Sequence, residues 1–192
     1  RARQAGFMRP WHFAGGIGLL AAAIFLGGWL GMKLVIPPGY SSPLWPPAGI
    51  ALAALLIFGR RFWPGIWLGA LLNELATAAS FSGQLDLAAI AAASLIASGS
   101  TLQAVVASVL SEKYLQPGLP KLETPGAILA FFVLAGPLAC LTAPSVGVAT
   151  LYGLDLMPGD ELQNSWRNWW IGDSLGVMVI APLLFCVCGR PQ

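Results

Sequence analysis

Residues 166–185 read WRNWWIGDSLGVMVIAPLLF, and the fold is decided by this stretch. It carries one carboxylate, Asp173, about two turns inside an otherwise apolar segment, behind Trp166, Trp169, Trp170 and Arg167. A helix starting near Ser165 places Asp173 about 12 Å below its aromatic end. A charge at that depth in lipid costs at least ~2.5 to 3.5 kcal/mol, so it requires a partner or a wet cavity and is a functional-site candidate by default. The best partner lies far upstream, at Glu74 with Asn73 beside it.

Composition sets the class. The 192 residues are 57% hydrophobic and 9% charged, with a mean hydropathy of +0.74, whereas an ordinary soluble domain is about 25% charged. This is an all-α integral membrane protein. At about 20 residues per span the length holds six or seven helices, which leaves no room for a soluble catalytic domain. Cys140, Cys186 and Cys188 all fall in apolar runs, the placement of small buried hydrophobes rather than of a disulfide framework.

Arg1, Arg3 and Arg9 precede an apolar run from Ala14 to Ile36, too long for a signal peptide and lacking a small-residue cleavage site, so it is a retained first helix with Lys33 snorkelling at its far end. Pro37, Pro38, Pro43, Pro46 and Pro47 then forbid regular helix until about Pro47, a favourable first-turn position. The 13 residues from Pro47 to Gly59 make roughly 20 Å of helix against a hydrocarbon core of about 30 Å. That helix is too short to span alone. The segment Ser41 to Pro46 must therefore dip about 10 Å into the membrane, to the depth of Asp173, where only protein or water can satisfy its backbone.

Arg60 and Arg61 mark a tight turn before a third helix, Phe62 to about Ser80. Glu74 lies about 18 Å along it, hence about 12 Å below the outer surface, the level already reached twice. Gly65, Gly69 and Asn73 recur every fourth residue, a stripe that allows close helix approach and aims Asn73 into the bundle. The fourth helix runs from about Leu85 to Leu110, with Ser94, Ser98, Ser100, Thr101 and Gln103 as its polar members. Counting inward from Asp86 puts Ser94 at carboxylate level, in reach of a hydrogen bond. Ser111 to Pro125 is a proline-broken loop. The fifth segment, Thr124 to Leu151, carries Pro137 and Pro144 and is either one kinked span or a helix followed by a broken half-helix. Topology favours the single span. Asp155, Asp160 and Glu161 lie in the loop before the last helix, which ends near Cys188.

About six transmembrane helices result, seven or eight if the fifth segment or the proline-rich loop is split. With both termini cytoplasmic, Arg1, Arg3, Arg9, Arg60, Arg61, Lys113, Lys121 and Arg190 share the inner side, and only Lys33 and Arg167 fall outside. That asymmetry supports both the count and the orientation. The expected organisation is a cytoplasmic segment over residues 1–13, a transmembrane sensory domain over 14–188, and the start of a cytoplasmic linker over 189–192.

Two separated motifs carry a resemblance. PLWPPAGIALAALLIFGRRFWPGIWLGALLNE, residues 43–74, and WWIGDSLGVMVIAPLL, residues 169–184, are similar to the membrane-associated sensor domain of the first type, the MASE type one family, and the likeness extends from about Ala14 to Phe185. Trp45, Pro46, Pro47, Gly49, Trp63, Pro64, Gly65, Gly69 and Asn73 match the first motif, and Trp169, Trp170, Gly172, Asp173, Gly176 and Pro182 the second. The resemblance implies a multi-span bacterial input domain at the inner membrane, in front of a cytoplasmic output module such as a diguanylate cyclase or histidine kinase. The family is often described with eight spans. It names neither the signal nor a cofactor.

Each residue also has a plainer reading. Asp173 and Glu74 are either a ligand or ion site or a structural pair pinning two helices together, and intramembrane ionisable groups favour the site. The tryptophans suit an interfacial belt better than a ligand cage. Gly172 and Gly176 form a small-xxx-small pair that serves packing within the chain or a homodimer equally well. Arg167 stands off the helical face of Asp173. His12 is read as interfacial, and Cys186 with Cys188 lacks the further ligands a metal site needs. The expected partners are the lipid bilayer, an output domain in cis and either a small ligand or a membrane partner protein; nothing suggests nucleic acid.

The expected site is therefore Trp45, Asn73, Glu74, Ser94, Trp169, Trp170 and Asp173, framed by Pro46, Pro47, Gly49, Gly65, Gly69, Gly172 and Gly176. A sensor is the leading reading. A solute or ion transporter, which also uses broken helices and a midplane carboxylate, is the runner-up, followed by a structural, dimerising anchor; no catalytic constellation is present.

Overall fold

Pro46 and Pro47 occupy the first turn of the shortest apolar helix, and that helix is the centre of the molecule. The computed structural model describes residues 10–34, 42–83, 85–115 and 122–188, which form helices and connections and no strand. The helices are α1 (Pro10–Lys33), α2 (Pro46–Phe58), α3 (Trp63–Ser82), α4 (Leu87–Tyr114), α5 (Pro125–Val133), α6 (Thr142–Gly153) and α7 (Leu162–Cys188). Pro37 and Pro38, and the sidedness expected of Arg1, Arg3, Arg9, Lys121 and Arg190, lie outside the described residues.

Helix α2 packs against α1, α4 and α7, and its Leu52 and Leu55 are wholly buried. Its 13 residues rise only about 20 Å, and the loop residues 42–45 just before it lie against α7. Gly59, at φ +93, ends it and admits a single 3-10 turn over Arg60–Phe62. Around this centre α1 packs on α3, α3 on α4, α4 on α6 and α6 on α7. Arg60 donates to Glu112 at 2.7 Å, so the turn after α2 and the end of α4 lie together on one face.

Apolar burial does little to hold helices together in lipid, where tails are as apolar as leucine; close packing between small residues does more. The sequence supplies it twice. On α3, a Cβ at Gly65 would meet the Ile17 carbonyl oxygen at 2.9 Å, and one at Gly69 the Ala21 oxygen at 2.6 Å. On α7, a Cβ at Gly172 would meet the Ser42 oxygen at 2.5 Å, and one at Gly176 would collide with the Trp45 carbonyl. Gly49 on α2 faces the Gly176 carbonyl in turn. Of the two uses left open for Gly172 and Gly176, the fold shows packing within the chain.

The fifth segment is one kinked run. Between α5 and α6 the backbone passes through a widened turn, Leu134–Leu138, and a 3-10 turn, Ala139–Leu141. The break sits at Gly136, whose ψ of −108° leaves the helical region just before Pro137. Pro144 falls in the first turn of α6, where a proline is tolerated, and breaks nothing. Four stretches are long and apolar enough to cross a membrane, namely α1, α4, the run from Pro125 to Gly153, and the run from Gly159 to Cys188.

Several boundaries move. Helix α1 begins at Pro10 rather than Ala14, so His12 belongs to its first turn instead of preceding the span. Helix α4 extends to Tyr114 rather than Leu110, and α7 starts at Leu162, a turn before Ser165. In each case the helix continues past the apolar stretch from which its limits were read.

Candidate functional site

Asp173 is 2% exposed on α7, the helix that packs on α2. Two glycines on the same helix create its setting. Because Gly172 and Gly176 present no side chains, the loop Ser42–Trp45 lies directly on α7, and Trp45 N donates to the Gly172 carbonyl at 3.0 Å. The Ser42 hydroxyl donates to the Leu44 carbonyl at 2.6 Å, satisfying the loop from within. The proline-rich loop thus reaches the level of Asp173, and protein groups meet its polar backbone as a segment at that depth requires.

Helix α4 supplies the carboxylate's partner. Gln103 Nε2 donates to Asp173 Oδ2 at 2.8 Å, while Gln103 Oε1 accepts from Ala143 N at 3.1 Å. Ala143 lies just past the break between α5 and α6, so one amide side chain ties the buried carboxylate to the irregular backbone. Asp173 Oδ1 has no hydrogen-bond partner. A cavity of about 30 Å³ adjoins it, lined among others by Trp45, Asn73, Glu74, Ser100, Gln103 and Asp173. That is room for one or two waters. Glu74 is half-buried there from α3, so the two carboxylates read from sequence share one pocket with Trp45.

The other expected residues have different placements. Asn73 lines the cavity, but its Nδ2 donates to the Ile24 carbonyl at 3.2 Å, and it occupies the room that Gly28 leaves on α1. It joins α3 to α1. Ser94 does not reach the carboxylates, because its hydroxyl donates to the Ile90 carbonyl of its own helix at 2.8 Å. The 28 residues of α4 rise about 40 Å, roughly 10 Å more than the hydrocarbon core. Counting from the helix start therefore stops about two turns short. The residues at carboxylate level are Ser100 and Gln103, both visible as polar positions in a small-residue helix.

The tryptophans hold α7 to the kinked segment. Trp170 Nε1 donates to the Pro137 carbonyl at 2.8 Å, and Trp170 stacks on Trp166 at 6.0 Å. Trp166 Nε1 donates to the Ser145 hydroxyl at 3.1 Å. The ring of Trp169 lies against Gly147 of α6. None of the three lines the cavity. Arg167 is exposed and donates to Asn164 at 3.4 Å, away from Asp173.

The MASE1 family model matches residues 17–190, nearly the whole chain, and the chain belongs to that family, whose members are membrane sensory input domains. No curated protein and no solved structure matches it.

Proposed function

We propose that this MASE1 domain is the input module of a bacterial inner-membrane receptor, with six spans and both termini in the cytoplasm. It detects a small ligand or a membrane partner at the pocket of Asp173, Glu74 and Trp45 and signals to an output domain in cis, a diguanylate cyclase or histidine kinase. The observation that supports this reading is Asp173 itself, buried beside a small cavity with one oxygen unpartnered and the other tied through Gln103 to the break in the fifth segment. A fully satisfied pair would be structural glue; a half-satisfied one has binding capacity left.

Transmission follows from what α7 grips. Asp173 through Gln103, and Trp170 directly, both hold the stretch between Pro137 and Ala143. Irregular backbone at membrane depth persists only where protein or water satisfies it. A change in the partners of Asp173 therefore alters the relation of α7 to the kink. Such a signal needs a ligand that binds the two arrangements with different free energies.

The test is output measured in cells from a receptor carrying this domain. Asp173→Asn should abolish the response to the inducing condition while membrane abundance is retained. A response that survives joint replacement of Glu74 and Asp173 by packed apolar residues would make the module a structural anchor instead.

A further inference from the structure

We infer that the cavity between α3, α4 and α7 is a binding site for one small monovalent cation, with Na⁺ the ion it fits. This deepens the sensory reading and rests on it for physiological meaning, though not for the binding itself.

The argument begins with the donor set. Asp173 Oδ1, the two oxygens of Glu74 and the Ser100 hydroxyl belong to the residues around one cavity of about 30 Å³. All are hard oxygen ligands, which suit small hard cations rather than soft metals. Asp173 Oδ1 is an acceptor more than nine-tenths buried and without a partner, and a buried acceptor left in that state costs about 1 to 3 kcal/mol, more when charged.

Countercharge is the second step. Among the described residues no Lys, Arg or His lines the cavity. Arg60 is paired with Glu112 on a distant face, Lys33 lies over Trp29 at the end of α1, and Arg167 turns to Asn164. Among the described residues, Asp173 receives its hydrogen bond from the neutral amide of Gln103. Two carboxylates in one pocket without a protein cation are neutralised by protons or by a cation from solution, and the unpartnered Asp173 Oδ1 offers the cation a ligand.

Size and coordination number select among ions. The cavity admits an ion and about one water. Ca²⁺ takes about 6 to 8 oxygens and Mg²⁺ about six in strict octahedral geometry, usually keeping several waters. The oxygens that Asp173, Glu74 and Ser100 can offer, with about one water, fall short of either shell. They suit a singly charged ion, whose dehydration is far less costly, and so small a set of ligands favours Na⁺ over K⁺, which gathers a larger shell of oxygens.

The purified full chain in lipid nanodiscs provides the test, with thermal unfolding followed against NaCl, KCl, MgCl₂ or CaCl₂ at an ionic strength held constant with choline chloride. A saturable rise in Tm specific to NaCl is expected, since a ligand that binds only the folded state stabilises it by mass action. Asp173→Asn should remove the rise, and Ser100→Ala should weaken the apparent Na⁺ affinity about tenfold, the effect of losing ~1.4 kcal/mol. Equal responses to NaCl, KCl and choline, a larger rise with a divalent ion, or an undiminished Na⁺ effect in Asp173→Asn would each overturn the proposal. If Asp173→Asn does not fold, the wild-type ion series and Ser100→Ala decide. The output assay stands apart: Na⁺ binding without an Na⁺-dependent response would remove the sensory reading and leave the ion site intact.

Discussion

The contact of α3 with α1 and that of α7 with α2 use the same device and end differently. Each places glycines four residues apart on one helix against backbone carbonyls, those of α1 at Gly65 and Gly69 and those of the loop before α2 at Gly172 and Gly176. On the α3 side the stripe ends in Asn73, whose amide donates to the Ile24 carbonyl in a space left by Gly28. On the α7 side it brackets Asp173, which keeps one oxygen unpartnered beside a cavity. The first contact spends its polar group on holding two helices together. The second uses two glycines to bring a loop onto a helix and leaves a carboxylate with capacity for something else. A buried polar residue in a membrane bundle is therefore informative through what it fails to pair with, more than through its presence.

The largest effect that would break this comparison comes from filling the glycines. Gly176→Ala drives a methyl group into the Trp45 carbonyl, which cannot swing away, so the cost should reach ~3 kcal/mol or more, the upper end for overpacking. Gly28→Ala meets only the Asn73 side chain, which can rotate out, so its cost should approach that of one interhelical hydrogen bond, ~0.6 to 1.7 kcal/mol. Unfolding of the two variants in mixed detergent, compared with wild type, measures the difference. Equal costs would mean that the loop before α2 yields as readily as a side chain.

Next in size is Gln103→Leu. It leaves Ala143 N–H and both Asp173 oxygens without a protein partner, so a loss of ~1 to 3 kcal/mol is expected, together with an altered output response. Ser94→Ala, on the same helix, should cost almost nothing, since that hydroxyl bonds only to its own helix. A Gln103→Leu variant with wild-type stability and response would remove the proposed link from carboxylate to kink.

These contrasts also mark what could be read from sequence. The all-helical membrane class, the shortness of α2, the inward course of the loop before it and the shared pocket of Glu74, Asp173 and Trp45 followed from composition, prolines and rise per residue, because those depend on local chemistry and length. Ser94 was misplaced for a geometric reason: a helix longer than the membrane is thick carries no mark of where the lipid begins. The partners of Asp173 and Trp170, at Gln103 and the Pro137 carbonyl, were hidden because they depend on which faces of distant helices meet. Gly172 and Gly176 announced a close contact but not its partner, which is the backbone of a loop rather than a second chain.

The smallest expected effect bears on Asn73, which belonged to the expected site yet donates its amide to α1. Asn73→Ala should lower stability by only ~0.6 kcal/mol, at most ~1.7, the measured range for such bonds in a membrane bundle. The output response should survive, because the Asn73 amide is committed to α1 and makes no hydrogen bond to Gln103 or the kink. A double-mutant cycle with Gly28 sharpens the point. The methyl group of Gly28→Ala clashes with the Asn73 amide, so removing that amide first should erase the penalty, and the double variant should be no less stable than Asn73→Ala alone. Residues in contact couple in this way, whereas independent ones add. Additive losses, or a changed response in Asn73→Ala, would move Asn73 from the helix contact into the site.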